Sequence, residues 1–222
     1  MKKGIRCWNV YAIFHQFFVL VSCVGFTNLM IVYLIRDENY FGLKPEIQGR
    51  FMSSVLFISF IAGILWTPIV GILYDVVSRR ITLLFAGFLG ALLVYCTPLT
   101  APHIGCLIFV RTLIAVTQSS IETSPLIMDY VKKESRGKAY ALQSVGQKVG
   151  EAFAVGVLSN LGSNKGTDID STYSRAAGII FVLALVLFLT VKEPKIKQVE
   201  LKDDSSEIKD IKANEIKQAT SN

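Results

Sequence analysis

Between Phe51 and Tyr74 the chain runs for twenty-four residues without a charged side chain, and between Ile81 and Leu99 it does so for nineteen more. A helix rises ~1.5 Å per residue and a bilayer's hydrocarbon core is roughly 30 Å thick, so each run crosses a membrane or nearly does. The two are joined by Asp75-Val-Val-Ser-Arg-Arg80, too short for anything but a hairpin at the membrane surface. That surface is where Asp75, Arg79 and Arg80 are cheap to place. Gly71 lies one helical turn before Asp75 on the same face and removes a side chain where another helix can approach. Asp75 falls at the negative end of its own helix dipole, so an arginine or a neighbouring helix N-terminus has to compensate it.

The rest of the chain repeats this alternation. Of its 222 residues 52% are hydrophobic, in blocks separated by short charged patches. Soluble domains spread a similar fraction periodically. The net charge of +6 is therefore read through membrane topology, and no aromatic-and-basic groove points to nucleic acid. Cys7, Cys23, Cys96 and Cys106 lie in or beside apolar runs without metal-ligand spacing, and there are only two histidines, His15 and His103. Cys96 and Cys106 flank one short loop, but reduced thiols are the plainer reading. No nucleophile triad, phosphate loop, metal site, cofactor site or paired-carboxylate site is present in the pattern, which argues against an enzyme.

Met1 to Arg6 is a basic leader, and the apolar run after it continues from Tyr11 past Cys23 to Ile35. That is too long for a removable signal segment and reads as a first span. Its polar residues His15, Gln16, Thr27 and Asn28 belong at a helix interface rather than in lipid. Arg36 to Arg50 reads as a loop marked by Gly42 and Pro45. The second and third spans are the pair already described. Thr97 to His103 is an uncharged turn with two prolines, followed by a fourth span at Ile104–Met128 and a basic loop at Asp129–Lys138. A fifth span is expected over Ala139–Leu161, then a polar loop over Gly162–Arg175, then a sixth and shortest span of about 16 to 19 residues ending at Lys192.

The leader, the Arg79–Arg80 turn and the 129–138 loop carry nine lysines and arginines, against five in the three loops of the other side. The positive-inside bias then puts both termini in the cytoplasm. Residues 1–192 form a six-span transmembrane bundle on this reading. Residues 193–222, with few large apolar side chains and no aromatic, form a charged, solvated cytoplasmic tail.

Four ionisable residues fall inside the expected spans: Arg111, Glu122, Lys148 and Glu151. Charges at mid-membrane are costly and normally face a cavity or each other. Gln118 and Glu122 follow Arg111 by seven and eleven residues, which at ~100° per residue makes one stripe. Lys148 and Glu151 are three apart and share a face, with Gly146 and Gly150 nearby offering a close helix contact. Two readings stand side by side. In one, the stripes line an aqueous pathway where Arg111 and Lys148 attract an anionic group and Glu122 or Glu151 carries a coupling proton. In the other, Lys148 and Glu151 neutralise each other, and Arg111 pairs with Glu122 or backbone carbonyls.

Gly71-x3-Asp75-x2-Ser78-Arg79-Arg80, between the second and third spans, resembles the signature loop of the major facilitator superfamily of transporters. Val76 stands where the family usually has a basic residue, and Ser78 where it has glycine. Arg111-Thr-Leu-Ile-Ala115 is similar to the family's fourth-helix motif, with Ala115 in place of glycine. Asp129-x6-Arg136-Gly137-x-Ala139 resembles its fourth-to-fifth loop. The fifth span lacks the Gly-Pro of the family's drug and proton antiporters, since Glu151 follows Gly150.

The resemblance implies an all-α integral membrane protein, one six-helix bundle equivalent to the N-terminal half of a twelve-span transporter, embedded in a lipid bilayer. It implies alternating-access transport of a small solute, with Gly71, Asp75, Arg79, Arg80 and Arg136 as a cytoplasmic gate. Arg111, Gln118, Glu122, Lys148 and Glu151 are then pathway residues. A second bundle is expected as partner, either another copy of the chain or a missing C-terminal half. A truncated transporter fragment and a transport-inactive membrane scaffold are the alternatives.

Overall fold

The computed structural model describes residues 7–122, 126–162 and 169–192. The leader, much of the 162–175 loop and the 193–222 tail lie outside the described residues. All regular structure among the described residues is helical. Helix α1 spans Cys7–Arg36, α2 Pro45–Val76, α3 Arg79–Cys96 and α4 Ile104–Glu122. The short α5 covers Leu126–Tyr130, α6 covers Arg136–Phe153, and α7 covers Ile169–Thr190.

Chain chemistry sets most of these boundaries. Helix α2 starts at Pro45, six residues before the expected Phe51, because a proline at the first position has its φ preset and needs no donor. Glu46 in that first turn faces the positive end of the dipole. The preceding loop closes at Gly42, whose φ of +53° is open to glycine at no steric cost. Ser78 caps α3, its hydroxyl accepting from the Ile81 amide at 3.3 Å, so the residue that departs from the family's glycine starts the next helix. Between α3 and α4 the two prolines shape a short 3-10 turn over Pro98–Thr100 and a cis peptide at Ala101–Pro102.

Two expectations need correction. The sixth span is not the shortest: α7 has 22 residues and begins at Ile169, inside the stretch read as a polar loop. Its first turns are held by packing, with Tyr173 fully buried and Thr172 nearly so. The fifth span is a long helix but a polar one. Among the described residues, five segments are apolar and long enough to cross a membrane, namely α1, α2, α3, the stretch Ile104–Tyr130, and α7. Helix α6 is the exception, since Gln143, Gln147, Lys148 and Glu151 interrupt its apolar side chains. It continues through a π turn at Ala154–Leu158 and a 3-10 turn at Ser159–Gly162.

Helix α1 runs through the middle of the bundle and α2 along its edge. Of the most apolar stretch of each, 56% is buried in α1 and 17% in α2. Lipid tails are as apolar as leucine, so helix association here rests on small residues and interhelical hydrogen bonds. A Cβ on Gly146 would sit 2.5 Å from the Phe14 carbonyl oxygen, and one on Gly150 would sit 2.7 Å from that of Phe18, so α6 lies directly on the backbone of α1. Gly87 of α3 meets Ala184 of α7 in the same way. Apolar clusters fill the two ends of the bundle. One centres on Phe26, Leu34, Ile114 and Tyr173, and the other on Ile13, Leu83, Tyr130 and Leu187.

Candidate functional site

The polar residues sort into a cluster at one end of the bundle, a buried arginine tie and a cavity. At that end Arg79 forms an ion pair with Asp129 of α5. Arg80 donates from Nε to the Phe188 carbonyl at 3.0 Å, with its guanidinium 4.0 Å from the centre of the Phe188 ring. Two more groups hold the end of α7. Asn9 donates to the Thr190 carbonyl at 3.0 Å. Tyr130 donates its hydroxyl to the Lys192 carbonyl at 2.7 Å and accepts from the Lys192 amide at 2.8 Å. The last carbonyls of a helix have no intrahelical donor, and here three side chains from other elements supply donors at its end.

The remaining gate candidates are Gly71, Asp75 and Arg136. Asp75 is exposed at the end of α2, and Gly71 is exposed with no heavy atom within 4 Å of the place a Cβ would take. Arg136 is half-buried at the start of α6, and its Nε has no hydrogen-bond partner among the described residues. Asp129, which sequence spacing marked only as part of a motif, is the acid that Arg79 engages.

Arg111 is 4% exposed. Its guanidinium donates to the Thr27 hydroxyl at 2.7 Å and to the Asn28 side-chain oxygen. The polar residues expected at an interface on α1 are thus what this arginine binds, and among the described residues it pairs with neither Glu122 nor a backbone carbonyl. Lys148 and Glu151 form an ion pair of 2.9 Å on an exposed face, with 82% and 59% of their side chains accessible. They neutralise each other there. His15, half-buried, lies 3.2 Å from the Leu183 carbonyl of α7.

Gln118 and Glu122 do line a cavity. It has a volume of about 350 Å³ and is walled by α1, α2, α4 and α6. Its polar lining is Ser59 and Thr67 from α2, Gln118, Ser119 and Glu122 from α4, and Gln147 from α6. Pro68 explains part of its chemistry. Lacking an N–H, it gives no backbone donor to the Ile64 carbonyl one turn earlier, and Ile64 is on the cavity wall. One turn further, Thr67 and Ser119 place their hydroxyls 3.1 Å apart, joining α2 to α4. Trp66 reinforces the same seam by donating to the Ser120 hydroxyl at 2.9 Å, and Tyr74 donates to the Ser120 carbonyl. Gln118 also sits 3.9 Å from the Cys23 sulfur, which fixes its amide near α1. Volumes of this size, enclosed by helices and lined by a few converging polar groups, are the ordinary form of small-molecule sites.

Ser59 and Gln147 were missed by the sequence reading. A serine inside an apolar run normally returns its hydroxyl to the carbonyl four residues back, as Ser53 and Ser54 do here. Gln147 had a signal, since it lies beside Lys148 on the one polar span.

Comparison with known families matches the Major Facilitator Superfamily over residues 16–218. No curated relative matches the sequence.

Proposed function

The chain belongs to the major facilitator superfamily, and from that membership we propose that it moves a small solute across a membrane by alternating access. The family is made up of transporters rather than enzymes, which places the chain among integral, multi-pass membrane proteins. Within that class, the observation that carries the reading is the cavity shared by α1, α2, α4 and α6. Polar groups inside a membrane bundle are costly unless they serve a pathway or tie helices together. Arg111 is accounted for as a tie, as are the hydroxyls of Thr67 and Ser119. Glu122, Gln118, Gln147 and Ser59 converge on the open volume instead.

On this reading Gln118 and Glu122 contact solute, and the exposed Lys148–Glu151 pair flanks the pathway on the α6 side. Glu122 is the better placed of the two expected proton carriers, because Glu151 is held by Lys148. Arg79 with Asp129, and Arg80 with the end of α7, form the fixed inner side of a cytoplasmic gate. Gly71, Asp75 and Arg136 complete the gate, which works against a partner bundle, either a second copy or a C-terminal half. Both termini face the cytoplasm. Solute exchange across vesicles holding the purified chain, and its loss when the cavity is filled, tests the proposal.

A further inference from the structure

Accounting for every charge near the cavity narrows what it can take. The two cations that might have drawn an anion are engaged elsewhere: Arg111 with Thr27 and Asn28, and Lys148 with Glu151. Neither lines the cavity. Among the described lining residues Glu122 is the one ionisable group. The cavity therefore presents a carboxylate without a neighbouring positive charge.

The other polar lining groups are hydroxyls and amides, which can accept as well as donate. Ser59 is 5% exposed, and its hydroxyl has no hydrogen-bond partner among the described residues although it lies on the cavity wall. A buried polar atom left without a partner is uncommon in native structures and calls for one. Gln118 and Gln147 contribute amides that can accept as well as donate. Phe60 adds an aromatic ring, a surface favourable to a positive charge.

We propose that this cavity takes a small organic cation, with Glu122 as its counter-charge and the Ser59 hydroxyl as one of its hydrogen-bonding partners. The inference rests on the transport reading for its biological sense but not for its chemistry. A carboxylate with no cation among the described lining residues attracts a cation and repels an anion, and Glu122 is exposed to a ligand entering the cavity. The volume of about 350 Å³ limits the ligand to a small molecule.

Binding of choline, ethanolamine, glucose and succinate to the purified full chain in detergent tests this directly. Choline or ethanolamine is expected to bind saturably and raise the melting temperature, while succinate and glucose leave it unchanged. Glu122→Gln should weaken binding at least tenfold and Glu122→Asp should retain part of it. Ser59→Ala should weaken it a few-fold. Ligand-free melting curves close to that of the parent chain show that the variants fold. Binding of succinate, binding by neither amine, or amine binding unaltered in Glu122→Gln overturns the proposal. Flux in vesicles separates the two readings. Flux of a neutral or anionic solute without amine binding contradicts the cation site alone, whereas amine binding with no flux of any solute contradicts transport alone.

Discussion

Arg79, the first residue of α3, forms an ion pair with Asp129 of α5, fifty positions further along the chain. The side chain of Asp129 is 9% exposed and that of Arg79 24%, so the pair is shielded from water on the acid's side more than on the base's. It joins the hairpin between the second and third spans to the far end of the fourth. Removing one partner of a buried pair costs about 3–5 kcal/mol, and the partial exposure of Arg79 brings the expectation here down to about 1–3 kcal/mol. Thermal melts in detergent are expected to show Arg79→Ala and Asp129→Ala each lowering stability by that amount, with the double variant less than additive. Additive losses would show that the two residues act independently.

The contact of α6 with α1 predicts a difference between glycines. Gly146→Ala and Gly150→Ala force a Cβ against the carbonyls of Phe14 and Phe18, where backbone has to move. Overpacking of that kind costs typically about 1–3 kcal/mol. Gly178→Ala in α7 meets nothing within 4 Å and is expected to be neutral or stabilising by up to about 1 kcal/mol, since alanine is the better helix former. Melting temperatures of the three variants check the order.

Arg111 and Lys148 are both cations inside expected spans, yet they should respond differently. Arg111→Met breaks two interhelical hydrogen bonds, to Thr27 and Asn28. Such bonds average about 0.6 kcal/mol each in membrane proteins and reach about 1.7. Arg111→Lys should rescue little, because an ammonium cannot reproduce the guanidinium fork. Lys148→Gln is expected to change stability by less than about 1 kcal/mol, because its pair with Glu151 is exposed. A loss from Lys148→Gln equal to that from Arg111→Met would contradict the assignment of roles.

Topology is checked by thiol labelling. Cys106, exposed near the start of α4, should react with a membrane-impermeant maleimide from the face opposite to a cysteine placed at Lys133. Cys23, buried beside Gln118, should not react from either face. On a background without native cysteines, Gln147→Cys is expected to label readily, being on the cavity wall, and Phe57→Cys slowly if its exposed side chain faces lipid. Labelling of positions 106 and 133 from one face would contradict the span count between them.

Much of this architecture was legible in the chain, because a bilayer demands uncharged runs and tolerates charge only at their ends. The runs at Phe51–Tyr74 and Ile81–Leu99 became α2 and α3, and the spacing of Gly146 and Gly150 offered a close helix contact, whose partner the structure gives as α1. Helix starts were less visible. Tyr173 and Thr172 look polar enough for a loop, and only burial against other helices makes them part of α7. The stripe through Arg111, Gln118 and Glu122 is an angular relation, and angle alone does not say what stands opposite each residue. Arg111 met Thr27 and Asn28, whereas Gln118 and Glu122 met open volume. The Arg79–Asp129 pair was beyond local reading, since its partners lie on different helices.

The most direct measurement of the central claim is solute exchange in sealed vesicles, using purified chain of established stoichiometry and a variant whose cavity is filled by Ser59→Leu with Gln118→Leu. The account predicts saturable flux of at least one small solute, stimulated by the same solute on the far side. It also predicts loss of that flux in the filled variant, which should still fold and insert. Flux no greater than in empty vesicles across the panel, or flux undiminished with the cavity filled, would contradict it.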